Sequence, residues 1–158
     1  MDSYYLIVKL LHILSAIVVM GTGAGIAFFM LMAVLSKNNT VIKTITKSVV
    51  LADWLFTFPF ACIQFFTGGW LMNYVGYSFN SPWFEVVGSF YLIVMFAWFI
   101  VVWIQYRLKN ISHQADFDVL TNQTFKRLFR YWLALGVIGF TCIMVVFYYM
   151  VVKPARFY

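Results

Sequence analysis

Charge is scarce in this sequence. Of 158 residues only 10% are Asp, Glu, Lys or Arg, where a soluble domain has about 25%, and 64% are hydrophobic. Mean hydropathy is +0.89. A chain of 18.4 kDa with so few polar groups cannot cover its apolar surface in water, which excludes a soluble globular domain. Cysteine is almost missing too: Cys62 and Cys142 alone build neither a disulfide framework nor a cysteine zinc site. No ten-residue segments of alternating polarity occur, which excludes a membrane β-barrel. Acidic residues number five against eleven basic ones, a net charge of +6. The basic residues sit in short connections between apolar runs, where lipid topology accounts for them, so nucleic acid is not the partner they imply.

What is present is length in the apolar runs. A hydrocarbon core about 30 Å thick needs roughly 20 apolar residues per helix, and four segments supply them: 4–35, 49–74, 83–106 and 128–152. The fold expected is all-α, a single transmembrane domain over 1–158 in the form of a four-helix polytopic bundle. Aromatic residues such as Tyr4, Tyr5, Trp70, Tyr74, Tyr77, Trp83, Tyr148, Tyr149 and Tyr158 gather near the span ends, where amphipathic rings prefer the headgroups. Lys37, Lys43, Lys47, Arg107, Lys109, Lys126, Arg127 and Arg130 flank the first and third connections; Lys9, Lys153 and Arg156 lie toward the other side. By the positive-inside rule the first group is cytoplasmic, and both termini face outward, into the periplasm, from a bacterial inner membrane. The first span is too long for a signal-peptide core and reads as a retained helix. Apolar Leu108, Ile111, Ala115 and Val119 recur at helical spacing, which predicts a short interfacial helix within 108–125. The matches to the glycosylation pattern at Asn38, Asn110 and Asn122 fall on the expected cytoplasmic side and read as chance.

Function must rest on the few polar residues within the spans, because each costs roughly 2.5–3.5 kcal/mol on insertion scales when charged. His12 lies eight residues into the first span, about 12 Å deep, with Lys9 and Ser15 on the same helical face. It either binds a neighbouring helix, for instance through Gln64, or serves as an axial ligand to haem iron or copper. Gln64 and Met144 fall at the same depth when counted from the ends of their spans. Met20, Met72, Met95, Met144 and Met150 offer soft thioethers, although methionine in a bundle is ordinarily packing. Gly21, Gly23 and Gly25 suggest close helix packing, or else room for a flat macrocycle. Asp53, followed by Trp54, is placed to pair with Arg130, Arg127 or Lys47 as a structural salt bridge, with proton transfer as the alternative role. Pro59 should kink its helix, Glu85 should cap the third span, and Gln105 should snorkel or bond a neighbour.

The stretch Lys9-Leu10-Leu11-His12-Ile13-Leu14-Ser15, together with Leu51-Ala52-Asp53-Trp54 and the closing Met150-Val151-Val152-Lys153-Pro154, resembles a bacterial family of four-helix integral membrane proteins that carries only a domain-of-unknown-function label. That resemblance covers essentially the whole chain and implies the fold, without an activity. The Lys-x-x-His-x-x-Ser opening is also distantly similar to that of HemJ-type protoporphyrinogen oxidases, which bind haem, and of CopD-type copper proteins. It implies that His12 corresponds to their first-helix histidine and Lys9 to the lysine before it. The chain departs from the HemJ type at Ala27-Phe28-Phe29-Met30-Leu31-Met32, where those proteins carry Leu-Pro-Arg, so the oxidase activity does not follow.

The reading that results is a membrane protein binding b-type haem for electron transfer or membrane redox chemistry. His12 would be the axial ligand, Lys9 would pair with a propionate, and Gln64 or Met144 would complete the site. Two alternatives stand beside it: a non-enzymatic accessory or assembly subunit, working with other membrane subunits or as a homodimer, and a copper-handling protein built on His12 and methionines. No nucleophile–base pair or paired carboxylates with workable spacing occur, so hydrolysis has no support.

Overall fold

A computed structural model describes residues 2–152 of the chain. Lys153, Pro154, Arg156 and Tyr158, used above, lie outside the described residues. Five α-helices follow in order: α1 (Ser3–Leu35), α2 (Asn39–Ala52), α3 (Phe58–Val75), α4 (Pro82–Ser112) and α5 (Gln123–Val152). A π-helical turn, Asp53–Thr57, joins α2 to α3, so that Asn39–Val75 is one rod. Four helices are therefore long and apolar enough to cross a membrane, and the described residues contain no strand.

Local chemistry sets the ends of these helices. Asp2 accepts from the Tyr4 N–H, and the Asn38 side chain accepts from the N–H groups of Thr40 and Val41. Ser81 does the same for Phe84, with Pro82 next in the chain where its missing N–H costs nothing. Asn122 Oδ1 receives the Phe125 N–H at 2.8 Å. Two of the three glycosylation-pattern asparagines thus cap helices. Gly76 ends α3 with φ at 76°, a left-handed conformation that needs glycine. The expected disturbance at Pro59 takes the form of the π turn just before it, where the Phe58 N–H reaches back five residues to the Asp53 carbonyl.

The helices run past the apolar spans at the end carrying the eight basic residues. α2 begins at Asn39 rather than 49, α4 continues to Ser112 rather than 106, and α5 starts at Gln123 rather than 128. In α2, Ile42, Thr46, Val49 and Val50 recur at helical spacing and are buried, while Lys43 and Lys47 stay exposed. The interfacial helix expected in 108–125 does not form: Leu108 and Ile111 belong to α4, while Phe117 and Val119 sit in the irregular connection that follows and pack into the core. Thr46 and Ser112 share a buried hydrogen bond of 2.9 Å. Val119 N–H donates to Asn39 Oδ1 at 3.0 Å, tying that loop to α2.

The principal core lies at this basic end, around Met30, Ile42, Leu108, Phe125 and Trp132. A smaller cluster of Met72, Trp83 and Val87 closes the opposite end, where the Trp83 indole donates to the Tyr149 carbonyl at 2.9 Å. Tyr5, Tyr74 and Trp70 stack there as an aromatic belt. α1 packs chiefly on α3 and α4 chiefly on α5; the two pairs are joined mainly at the basic end, where α2 meets α4. Gly21, Gly23 and Gly25 make no close seam within the chain, since an added Cβ at any of them meets nothing within 4 Å.

Candidate functional site

His12 is the centre of a closed polar network linking α1 to α3. α1 runs as one uninterrupted helix past His12, and α3 repeats polar or small groups at Gln64, Thr67 and Gly68, spacings that share one helical face. Ser15, 1% exposed, donates to Gln64 Oε1 at 2.6 Å and also lies 2.9 Å from the His12 carbonyl. The Gln64 amide must then turn its NH2 toward His12 Nε2, which it meets at 3.0 Å. Nε2 is therefore an acceptor, and the ring proton sits on Nδ1, which donates to Thr67 Oγ1 at 2.9 Å. Thr67 passes its own hydroxyl proton to the Ile63 carbonyl at 2.6 Å. Every group in the network is satisfied with the imidazole neutral.

Gly68 lets the ring lie against the backbone of α3: a Cβ there would come 3.1 Å from His12 Cε1. Beside the network opens a cavity of about 690 Å³ between α1, α3, α4 and α5. His12 and Gln64 supply polar groups to a wall otherwise rich in aromatic and aliphatic side chains, including Trp70, Trp83 and Phe84. This is the usual make-up of a small-molecule pocket. The Tyr91 hydroxyl lines the same cavity and is buried without a hydrogen-bond partner. Glu85 sits in the first turn of α4 and also faces the cavity.

Other residues singled out from the sequence take different places. Met144 is 39% exposed and absent from the cavity wall, whereas Met72 and Met150 line it. The face of α5 that Met144 occupies is not the one turned toward His12. Lys9 is exposed, with its ammonium 5.6 Å from the centre of the Tyr5 ring. Asp53 meets no basic side chain: Arg130, Arg127 and Lys47 are exposed, and the groups facing its carboxyl are Thr57, Gln105 and Trp98. The expected ion pair is replaced by a polar cluster inside the bundle, and Gln105, expected to snorkel or to bond a neighbour, does the second: it is 3% exposed and faces the Asp53 carboxyl. The Trp54 indole donates to the Tyr106 hydroxyl at 2.6 Å on the outer surface of the bundle. Among the described residues no three His, Cys, Asp or Glu side chains gather to hold a metal ion. Cys62 and Cys142 are free thiols.

The family model described as "Predicted integral membrane protein (DUF2269)" matches residues 6–154, nearly the whole chain. The chain belongs to this family. Membership agrees with the four long apolar helices and makes the protein an integral membrane protein. No curated protein and no solved structure matches it.

Proposed function

We propose that this DUF2269 protein binds b-type haem in the cavity beside His12 and takes part in electron transfer or redox chemistry in a bacterial inner membrane. In this reading the basic end faces the cytoplasm, as the positive-inside rule requires, and the cavity lies in the outer half. One observation carries the proposal: Thr67 holds the Nδ1 proton, so the lone pair of His12 is on Nε2, at the wall of an apolar cavity of about 690 Å³. A histidine that ligates metal ordinarily has its other ring N–H fixed in this way. The donor set fits haem on condition that the Gln64 amide turns away from Nε2. Met72 and Met150, which line the cavity where Met144 does not, would be the thioethers available to the iron, and Lys9, one turn outward from His12, would be the cation available to a propionate. Bound haem would supply one-electron chemistry; the chain supplies the ligand, the apolar wall and the exclusion of water. Copper has less support, with His12 as its only nitrogen ligand on this wall.

Purified full-length protein from cells grown with ample haem should show a Soret band. His12→Ala should remove it, whereas His113→Ala, in the exposed loop, should leave it intact. A colourless wild type, or a His12→Ala variant with unchanged haem content, overturns the proposal. The reading as a non-enzymatic accessory subunit is favoured by a different observation, namely that both ring nitrogens of His12 are already paired within the chain. Under that reading the wild type stays colourless and co-purifies with a larger membrane assembly.

A further inference from the structure

Inside the rod Asn39–Val75 the chain buries a carboxyl without a cation to meet it. Asp53 is 5% exposed; Thr57, one turn on, and Gln105 and Trp98 of α4 face it. Asp53 Oδ2, Thr57 Oγ1, Gln105 Oε1 and the indole N–H groups of Trp98 and Trp132 are all buried with no hydrogen-bond partner. All five residues line a second cavity of about 450 Å³, separate from the one beside His12. Buried polar atoms without partners are costly, and a native bundle has few. Thr57, Gln105 and Trp98 turn toward the Asp53 carboxyl without closing a short bond, and Gln105 Oε1 stays open, so the cavity holds a buried carboxyl that no cation of the described residues meets. The π turn Asp53–Thr57 is the backbone irregularity that sets Asp53 and Thr57 into this wall, and such turns concentrate at functional sites.

The chemistry of the wall defines the partner. The Thr57 and Trp98 donors face the carboxyl itself, and what the wall lacks is a positive charge: a buried carboxyl with the open Gln105 Oε1 beside it calls for N–H groups on a cation. Two indoles, Trp98 and Trp132, line the cavity beside them and add apolar surface for the body of such a cation. The rest of the wall is apolar, so water would serve the orphan atoms but would neither neutralise the carboxylate nor fill the space. Access is from the side. α1 and α5 make little contact, and between them Gly23 and Ala24 face Gly136 and Gly139 across the cavity. A Cβ added at Gly23, Gly136 or Gly139 meets nothing within 4 Å, and Gly23, Ala24 and Gly136 are exposed toward lipid.

We infer that this cavity binds a small amine dissolved in the membrane, held as its ammonium ion. Its N–H groups bond to Asp53 and Gln105, and its apolar body lies along Trp98 and Trp132. It enters between α1 and α5.

The test is a tryptophan-fluorescence titration of the full-length protein in lipid nanodiscs at pH 7, using octylamine as probe and 1-octanol as its neutral counterpart. Octylamine should give a saturable quench that octanol does not. Asp53→Asn, which keeps shape and removes charge, should raise the Kd at least tenfold, and Gln105→Leu about threefold. Gly136→Leu, which narrows the portal without touching the polar end, should slow association about tenfold. Should Asp53→Asn fail to insert, Gln105→Leu and Gly136→Leu carry the decision. Equal responses to amine and alcohol would mean that Asp53 holds only a proton among waters, and would overturn the inference. Unchanged octylamine binding in the variants that fold would overturn it as well.

Discussion

Gly68 shows how much can depend on a missing methyl group. Within a helix, Gly→Ala ordinarily stabilises by up to about 1 kcal/mol. At Gly68 the added Cβ would lie 3.1 Å from His12 Cε1, and the ring cannot slide away without losing Thr67 or Gln64. Loss of one such hydrogen bond costs about 1 kcal/mol, more if a buried partner is orphaned. Gly68→Ala should therefore lower the thermal midpoint in detergent, whereas Gly69→Ala, where an added Cβ meets nothing within 4 Å, should leave it unchanged or raise it. Equal midpoints for the two variants would contradict the account of the network. At this scale the sequence was informative about height and poor about direction. Counting residues put His12 and Gln64 in one layer, and they do meet at 3.0 Å. Thr67 and Gly68 follow Gln64 by three and four residues, a spacing that could have marked them as parts of the same face. Met144 was misplaced because a residue's depth in lipid follows from its position along the span, whereas its facing depends on helix packing that hydropathy does not encode.

Among the elements, the connection between α4 and α5 is ordered by polar side chains rather than by a helix of its own. Asp118 accepts from the Leu120 N–H at 3.1 Å and the Thr121 hydroxyl at 3.1 Å, with the Asn39 amide at 3.4 Å. These donors, the Leu120 N–H foremost, together with the nearby Lys126 charge, outweigh partial burial and hold its carboxyl below the usual carboxylate range. A depressed folded value means that the stabilisation is complete above the unfolded pKa, about 3.9, and is lost as pH falls through the lower folded value. Asp118→Asn should thus melt earlier than wild type at pH 7, with the difference closing below about pH 4. A pH-independent gap in thermal midpoint would count against this. The sequence missed the length of α2, α4 and α5 because the lipid criterion detects only the apolar part of a helix. Beyond it, Ile42, Thr46 and Val49 continue a helical period under polar cover, which a search for continuous hydrophobicity passes over. Asp53 was likewise read from charge arithmetic, which sees Arg130 but not the turn that carries the carboxyl inward.

For the molecule as a whole, four spans were legible because an apolar run of more than twenty residues has few other uses. Orientation rests on the asymmetry of basic residues and can be measured. Replacing Cys62 and Cys142 by Ala and adding one cysteine at Ser78 or at Gln114 gives two reporters in opposite connections. A membrane-impermeant maleimide applied to intact spheroplasts should label Ser78→Cys and reach Gln114→Cys only after lysis; the reverse pattern would invert the topology proposed above.

The uneven distribution of packing gives the bundle the mechanics of a clothes-peg. Its two arms, α1 with α3 and α4 with α5, are clamped at the foot by the Met30–Ile42–Leu108–Phe125 core; the hollow beside His12 lies away from that foot, and the second hollow rests on its edge against Ile26 and Trp132. α3 is roughly 27 Å long at 1.5 Å per residue, so a tilt of about 5° at the foot parts the far tips by about 2–3 Å. Spreading of that size leaves the foot intact, and a guest can slip between the arms while the grip that keeps them paired never loosens.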